Sequence, residues 1–262
     1  MTKKVDFYFK LFLVAILITV VLMLIMIIIS PILYTKQFNL FKMILSSEIM
    51  FSLKMSLITS IIAIIITIFI ALPVSYFLSK YNFIGKKQIE ILFSLPMVIP
   101  PLFLGVSLLI LCGPILGDKL EFIGIDFVYT PLGIILAQYV VVFPLMVQVF
   151  KNSFDEIDKC VLEAANVDGA TELKILLEII IPISLSKILS GISLSWARAI
   201  GEFGVTMMLA GITKFKTETL TSSIYLNIST GEIEKAVTVA FILLIISVVI
   251  LSSIKFFERL TY

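Results

Sequence analysis

Two charges four residues apart, Arg198 and Glu202, lie within WARAIGEFGVTMMLAG at 196–211 of a chain otherwise rich in aliphatic and aromatic side chains. An arginine at mid-bilayer costs about +2.5 to +3.5 kcal/mol on insertion scales, so a charge pair kept in such a setting needs a reason. At positions i and i+4 of a helix the two side chains share a face and can pair, which removes much of the cost of burying either. Two roles fit. The pair can be a static salt bridge that locks its helix to a neighbour. Alternatively it can sit at a gate, where Arg198 offsets the charge of a passing anion and Glu202 keeps that site from holding the anion too tightly. Gly201 and Gly204 flank the acid and would let another helix approach or the backbone loosen there. A second constellation is SLPMVIPPLFLG at 94–105. Pro96, Pro100 and Pro101 each remove a backbone donor, which is tolerated at membrane depth only where protein or water satisfies the freed carbonyls, so this stretch is expected to line a cavity. Pro73 and Pro144 stand singly and read as kinks.

Other chemistries are excluded by what is missing. The chain has no histidine. That removes imidazole metal ligands and the usual general base of Ser and Cys enzymes, so no metal site and no catalytic residue are expected and an intramembrane protease is disfavoured. IGKK at 84–87 lacks the upstream glycine of a phosphate-binding loop. If ATP is used, with its magnesium ion, another chain binds it. Asn227, in NIS at 227–229, matches a glycosylation acceptor, a triplet too common to carry weight alone.

The elements that must position these residues are membrane helices. Of 262 residues 60% are hydrophobic, the mean hydropathy is +1.16, and 21 are Phe, more than one globular core needs. Runs long enough to cross a bilayer, roughly 20 residues each, lie near 11–33, 56–79, 91–112, 131–150, 183–210 and 236–257. An all-α polytopic protein with six transmembrane helices is expected. If the fifth helix enters at Pro182, Arg198 lies about 24 Å along it, past the middle of a hydrocarbon core about 30 Å thick. Near the span ends Lys3, Lys4, Lys10, Lys80, Lys86, Lys87, Lys151, Lys159, Lys174, Lys255 and Arg259 fall on one side. Lys36, Lys42, Lys54, Lys119, Lys214, Lys216 and Lys235 fall on the other, and this bias of eleven to seven puts both termini in the cytoplasm. The first apolar run exceeds a signal-peptide core and no small-x-small cleavage site follows, so it reads as a retained anchor. Residues 1–55 thus form an anchor helix and outer loop, and 56–257 the main body. Cys112 and Cys160 fall at opposite faces, cannot bridge within one chain, and read as packing residues. A net charge of +2 without a basic patch gives no reason for a nucleic-acid partner.

One connection is long: KNSFDEIDKCVLEAANVDGATELKILLEIIIP at 151–182, with seven acids, belongs outside the lipid on the cytoplasmic side. Ser153 and Glu156 fit a capping box, and Ile157, Cys160, Val161, Ala164 and Ala165 recur at helical spacing on one face. Gly169 would end this helix in the left-handed conformation, and 171–181 leads to Pro182 at the start of the fifth span. The physics leaves a plain surface helix and a docking site equally open. The segments 113–130 and 211–235 face outside, and the second, with Thr217, Thr219, Thr221, Ser222 and Ser223, reads as an ordinary solvated loop.

The same connection carries a resemblance. Glu163-Ala164-Ala165, then Gly169, Ile179 and Ile181-Pro182, is similar to the EAA loop of ABC importer permeases, EAA-x3-G-x9-I-x-L-P, departing only at Ile181. LPMVIPPLFLG at 95–105 resembles a segment of molybdate permeases, FPLMVQVFKNSFDEID at 143–158 the run they place before that loop, and RAIGEFG at 198–204 a signature of molybdate, tungstate and sulfate permeases. The likeness covers about residues 55–256. It implies the type I permease fold and a membrane subunit of an importer of molybdate or tungstate, with sulfate or thiosulfate as the alternative, since FKTET at 215–219 is similar to sulfate permeases. It further implies a homodimer, two ATPase subunits docked on Glu163, Ala164, Ala165, Gly169 and Pro182, and a separate extracellular or periplasmic oxyanion-binding protein. A secondary transporter would instead show internal repeat symmetry, which the hydropathy pattern lacks. A structural membrane protein would need neither the loop spacing nor the charge pair.

Overall fold

Small hydroxylic and methyl side chains decide how the helices meet. In the computed structural model, which describes residues 2–34 and 46–259, helix α2 (Ser47–Lys80) buries Ser52, Ser56, Thr59, Ser60, Ala63, Thr67, Ala71 and Ser75 along one face. That spacing of three to four residues makes a shallow seam against which α6 (Pro131–Asp155) lies closely. The hydroxyls stay satisfied in this apolar setting by bonding back to their own helix, as Thr67 Oγ1 does to Ala63 O at 2.7 Å, or across to the neighbour, as Ser75 Oγ does to Val147 O at 3.0 Å. Ile64, Leu78, Met146, Phe150 and Phe154 fill the core between them.

The described residues form twelve α-helices. Helix α1 (Thr2–Tyr34) is exposed along its apolar length, with none of the window Tyr8–Ser30 buried. Among the described residues five helical runs are long and apolar enough to cross a membrane, or six if the bent pair counts as one span. The outer loop expected after the first span falls mostly outside the described residues, as do Lys36 and Lys42.

Several expectations need correction. The third span is interrupted by its prolines as expected, but its halves part far more sharply than a kink: α3 (Lys86–Val98) and α4 (Pro101–Ile110) are bent by 108° at Ile99–Pro100, because the two consecutive prolines leave an extended joint that no helix can continue through. The fifth span is also broken: α9 (Ile181–Ile200) ends at Gly201, and a separate α10 (Gly204–Ala210) follows. Pro182 does not start that span. A helical path runs from α8 (Glu172–Ile175) through a wide π turn at Leu176–Ile180 into α9, the wider turn accommodating the missing proline donor.

Ser153 is not a cap either. It lies inside α6 with its hydroxyl on Val149 O at 2.8 Å, and Asp158 caps α7 (Lys159–Val167) instead, accepting from the Cys160 N–H at 2.9 Å. Cys112, in the π turn Leu111–Ile115 that extends α4, is buried, whereas Cys160 is an exposed thiol and not a core packing residue. After α5 (Gly117–Phe122) and α6, the largest correction concerns 211–235. Far from being a solvated loop, it folds into α11 (Leu220–Ser229), with Thr217, Thr219, Ser222 and Ser223 all buried. Thr219 and Ser222 cap each other reciprocally, and the Leu220 N–H donates to Ser56 Oγ at 2.8 Å, so the hydroxyls serve helix ends rather than water. Asn227 is 3% exposed with its amide on Ser223 O, which leaves it closed to glycosylation. Helix α12 (Ile233–Arg259) completes the bundle against α9 and α11.

Candidate functional site

Arg198 occupies the last turn of α9, and Glu202 lies just beyond the helix end rather than within a continuous helix. The two still meet, Arg198 Nη1 donating to Glu202 Oε2 at 2.7 Å. Their surroundings differ. Glu202 is 2% exposed, and its second oxygen accepts from the Val205 N–H at 3.0 Å, satisfying a donor at the start of α10. The Arg198 side chain is 43% exposed. It lines a cavity of about 300 Å³ together with Pro96, Pro100, Pro101, Val141 and Leu145. A buried acid therefore holds a cation at the wall of a space made by the proline joint.

The frame around the pair is tightly specified. A β-carbon on Gly204 would come within 2.8 Å of Pro101 Cβ, so glycine there lets α10 seat against the proline joint. Gly201 has an ordinary φ of −78° and no close neighbour, so it ends the helix without being needed for an approach. Gln138 of α6 donates to Ala199 O at 3.2 Å, and Thr221 of α11 donates to Glu202 O at 2.9 Å. Gln138 did not stand out in the sequence, and Thr221 read there only as part of a solvated loop. Gln138 is a polar residue in an apolar run, and that is the signal by which it could have been found.

The second cluster lies at the opposite end of α9. Gly169 has φ +76°, a left-handed turn that closes α7. Glu163 and Ala164 face outward, beside exposed Cys160, Val161 and Val167, while Ala165 is 7% exposed and packs with Ile157 and Ile175 into the bundle core. The expected docking face thus loses Ala165. The predicted face of Ile157, Cys160, Val161, Ala164 and Ala165 divides in two: Ile157 and Ala165 anchor the helix, and the other three remain outside. Pro182 is exposed on α9. A clasp fastens the segment to α2: Glu172 accepts from the Tyr81 hydroxyl at 2.6 Å and pairs with Lys80 at 2.9 Å. The bond to that carboxylate pushes the Tyr81 phenol up from its ordinary value.

The chain has relatives among known proteins. Residues 63–261 match the family model described as binding-protein-dependent transport system inner membrane component. The chain belongs to this family. It is thus the membrane permease of an ABC importer, a multi-pass transport component. It is 38% identical over 157 residues to the putative molybdenum transport system permease protein YvgM of Bacillus subtilis (strain 168), covering 59% of this chain and 69% of that one. To the probable transport system permease protein NifC of Clostridium pasteurianum it is 32% identical over 236 residues, covering 89% and 82%. A probable sulfate transport system permease protein cysT of Helicosporidium sp. subsp. Simulium jonesii is 35% identical over 162 residues, covering 61% of this chain and 58% of that one. In fold, the permease superposes with TM-score 0.77 and 16% identity on a chain of a bacterial alginate ABC transporter crystallised with a pentasaccharide-bound periplasmic protein, covering 98% of this chain and 97% of that one.

Proposed function

We propose that this permease is the membrane subunit of an ATP-driven importer of a tetrahedral oxyanion dianion, molybdate or tungstate. The observation that carries the reading is Arg198, held by a buried Glu202 and exposed to a cavity at the proline joint. A guanidinium with donors to spare matches a dianion in charge and in hydrogen bonding, and its standing partner keeps the affinity low enough for passage. Relatives named as molybdenum transport permeases support the substrate class.

The transporter is a homodimer with the pathway along its two-fold axis and both termini in the cytoplasm. Residues 56–257 form the permease core and 1–55 its anchor. Two ATPase subunits, which carry the ATP and magnesium, dock on Glu163, Ala164 and the Gly169 turn, and Pro182 borders that region. A separate extracellular or periplasmic protein delivers the anion. Closure of the ATPase pair draws the α7 helices together and opens the cavity outward, and hydrolysis resets it. The second reading is sulfate, favoured by the sulfate permease relative.

The test is uptake of labelled molybdate into vesicles holding the reconstituted complex. Uptake is expected to require both ATP and the binding protein, with excess tungstate competing better than sulfate. Since all three anions are doubly charged, size and hydrogen-bond geometry decide among them. Competition by sulfate alone would move the assignment to the second reading.

A further inference from the structure

A second cavity, of about 650 Å³, lies in the groove between α3 and α6, within the range of about 300–1,000 Å³ usual for small-molecule sites. It abuts the Arg198 cavity, since Val98 lines both and neighbouring residues Pro144 and Leu145 face one each. The two helices contribute regular stripes. On α6 the lining residues are Val141, then Pro144 and Leu145, then Val147 and Gln148, then Lys151 and Asn152, in successive turns. From Val141 to Asn152 that lining runs about 16 Å at 1.5 Å per residue. Its chemistry changes along the way from apolar walls beside Arg198 to amide and ammonium groups at the end that carries α7.

The polar half is built to receive an anion loosely. Gln148 and Lys87 are exposed, and neither makes a hydrogen bond or ion pair among the described residues. Lys151 is shared between Asp155 at 2.7 Å and Glu90 at 3.5 Å, so any anion reaching it competes with two carboxylates. Uncommitted donors next to a partly neutralised cation favour entry and still permit exit.

We propose that the α3–α6 groove is a release track, with Gln148, Lys87, Lys151 and Asn152 forming a weak site for a tetrahedral oxyanion leaving Arg198 for the cytoplasm. This rests on the import reading above. The track carries the dianion past the apolar stretch with a cation at either end, and Gln148 and Asn152 are the uncommitted side-chain amides that α6 presents to it.

Cysteine labelling tests the site without asking for transport. In the whole complex, with Cys112 and Cys160 replaced by Ser, Gln148→Cys is exposed from the cytoplasmic face to an anionic (sulfonatoethyl) or a cationic (trimethylammonioethyl) methanethiosulfonate. Asn152→Cys serves as the second position should the first not assemble. The expected result is at least fivefold faster reaction with the anionic reagent, slowed by millimolar tungstate. Equal rates, a thiol buried against the second copy, or no protection by tungstate overturns the track. A companion variant, Gln148→Glu, is expected to lower maximal uptake at least tenfold, with half-saturation by loaded binding protein moving less than twofold. Wild-type uptake by that variant also overturns it. A complex that labels as expected yet imports no oxyanion supports the anion site and overturns the import reading instead.

Discussion

Glu202 and Arg198 are partners with unequal burdens. Glu202 is buried and serves two donors, so Glu202→Ala leaves the buried Val205 N–H without its acceptor and frees a half-exposed guanidinium, a loss on the order of 1–3 kcal/mol. Arg198→Met leaves the buried Glu202 carboxylate without its cation and should cost more, on the order of 3–5 kcal/mol, an order checked by thermal unfolding of the solubilised complex. Replacing both by Met separates a structural pair from a gate: normal assembly with lost uptake is the expected outcome, and normal uptake would show that the pair only holds the helix. A second residue-scale prediction concerns Glu218, fully buried near the far end of α2. Burial is the main force raising its carboxyl above the ordinary value, and the nearby Glu48 adds to it. Ser223, Lys214 and the Phe215 backbone oppose the shift without completing a full hydrogen bond to either oxygen. In the fold this group binds a proton more tightly than in the unfolded chain. Stability should therefore decline as pH rises from the ordinary carboxylate value through the raised one, and level off above it. Melting at pH 5 and pH 8 should show that decline in the parent, and Glu218→Gln should flatten it.

At the scale of elements, α7 is held by its inner face and its ends rather than by length. Nine residues make a helix too short to persist alone, so Asp158 at one end, the Gly169 turn at the other, and Ile157 and Ala165 beneath fix its position. No atom lies within 4 Å of a β-carbon built on Gly169, so the cost of Gly169→Val is backbone strain alone, about 1–2 kcal/mol. That is enough to tilt a short helix and too little to unfold the bundle. The expected outcome is a permease that inserts and assembles but loses substrate-stimulated ATPase activity. Retained stimulation in reconstituted vesicles would remove α7 from the coupling role.

For the molecule as a whole, the exposed apolar faces of α3 and α4, including Leu92, Val98, Leu102, Phe103 and Val106, must be covered by lipid or by a second permease. The homodimer proposed above would use part of this surface and bring two Arg198 cavities toward one axis, with two α7 helices for two ATPases. Native mass measurement of the purified complex is expected to show two permease chains with two ATPase chains. A single permease chain with either one or two ATPases would contradict the proposed assembly.

The sequence by itself determined features whose physics is local. Apolar runs mark the crossings, the four-residue spacing of Arg198 and Glu202 predicts their pairing, and Gly169 has the positive φ that its place after α7 demands. What lies between elements was not legible. Hydropathy carried the fifth span through Gly201–Phe203, although Glu202 turns there to cap α10 and Thr221 binds its carbonyl from 19 residues away. The hydroxyls of 217–223 read as solvated because a serine's burial depends on what faces it, here the Ser52 and Ser56 face of α2. The Pro100–Pro101 pair announces a break but not its 108° angle, nor that the turned segment receives Gly204 against Pro101 and closes a cavity beside Arg198. Those outcomes follow from contacts between residues tens to more than a hundred positions apart, and packing, not periodicity, decides them.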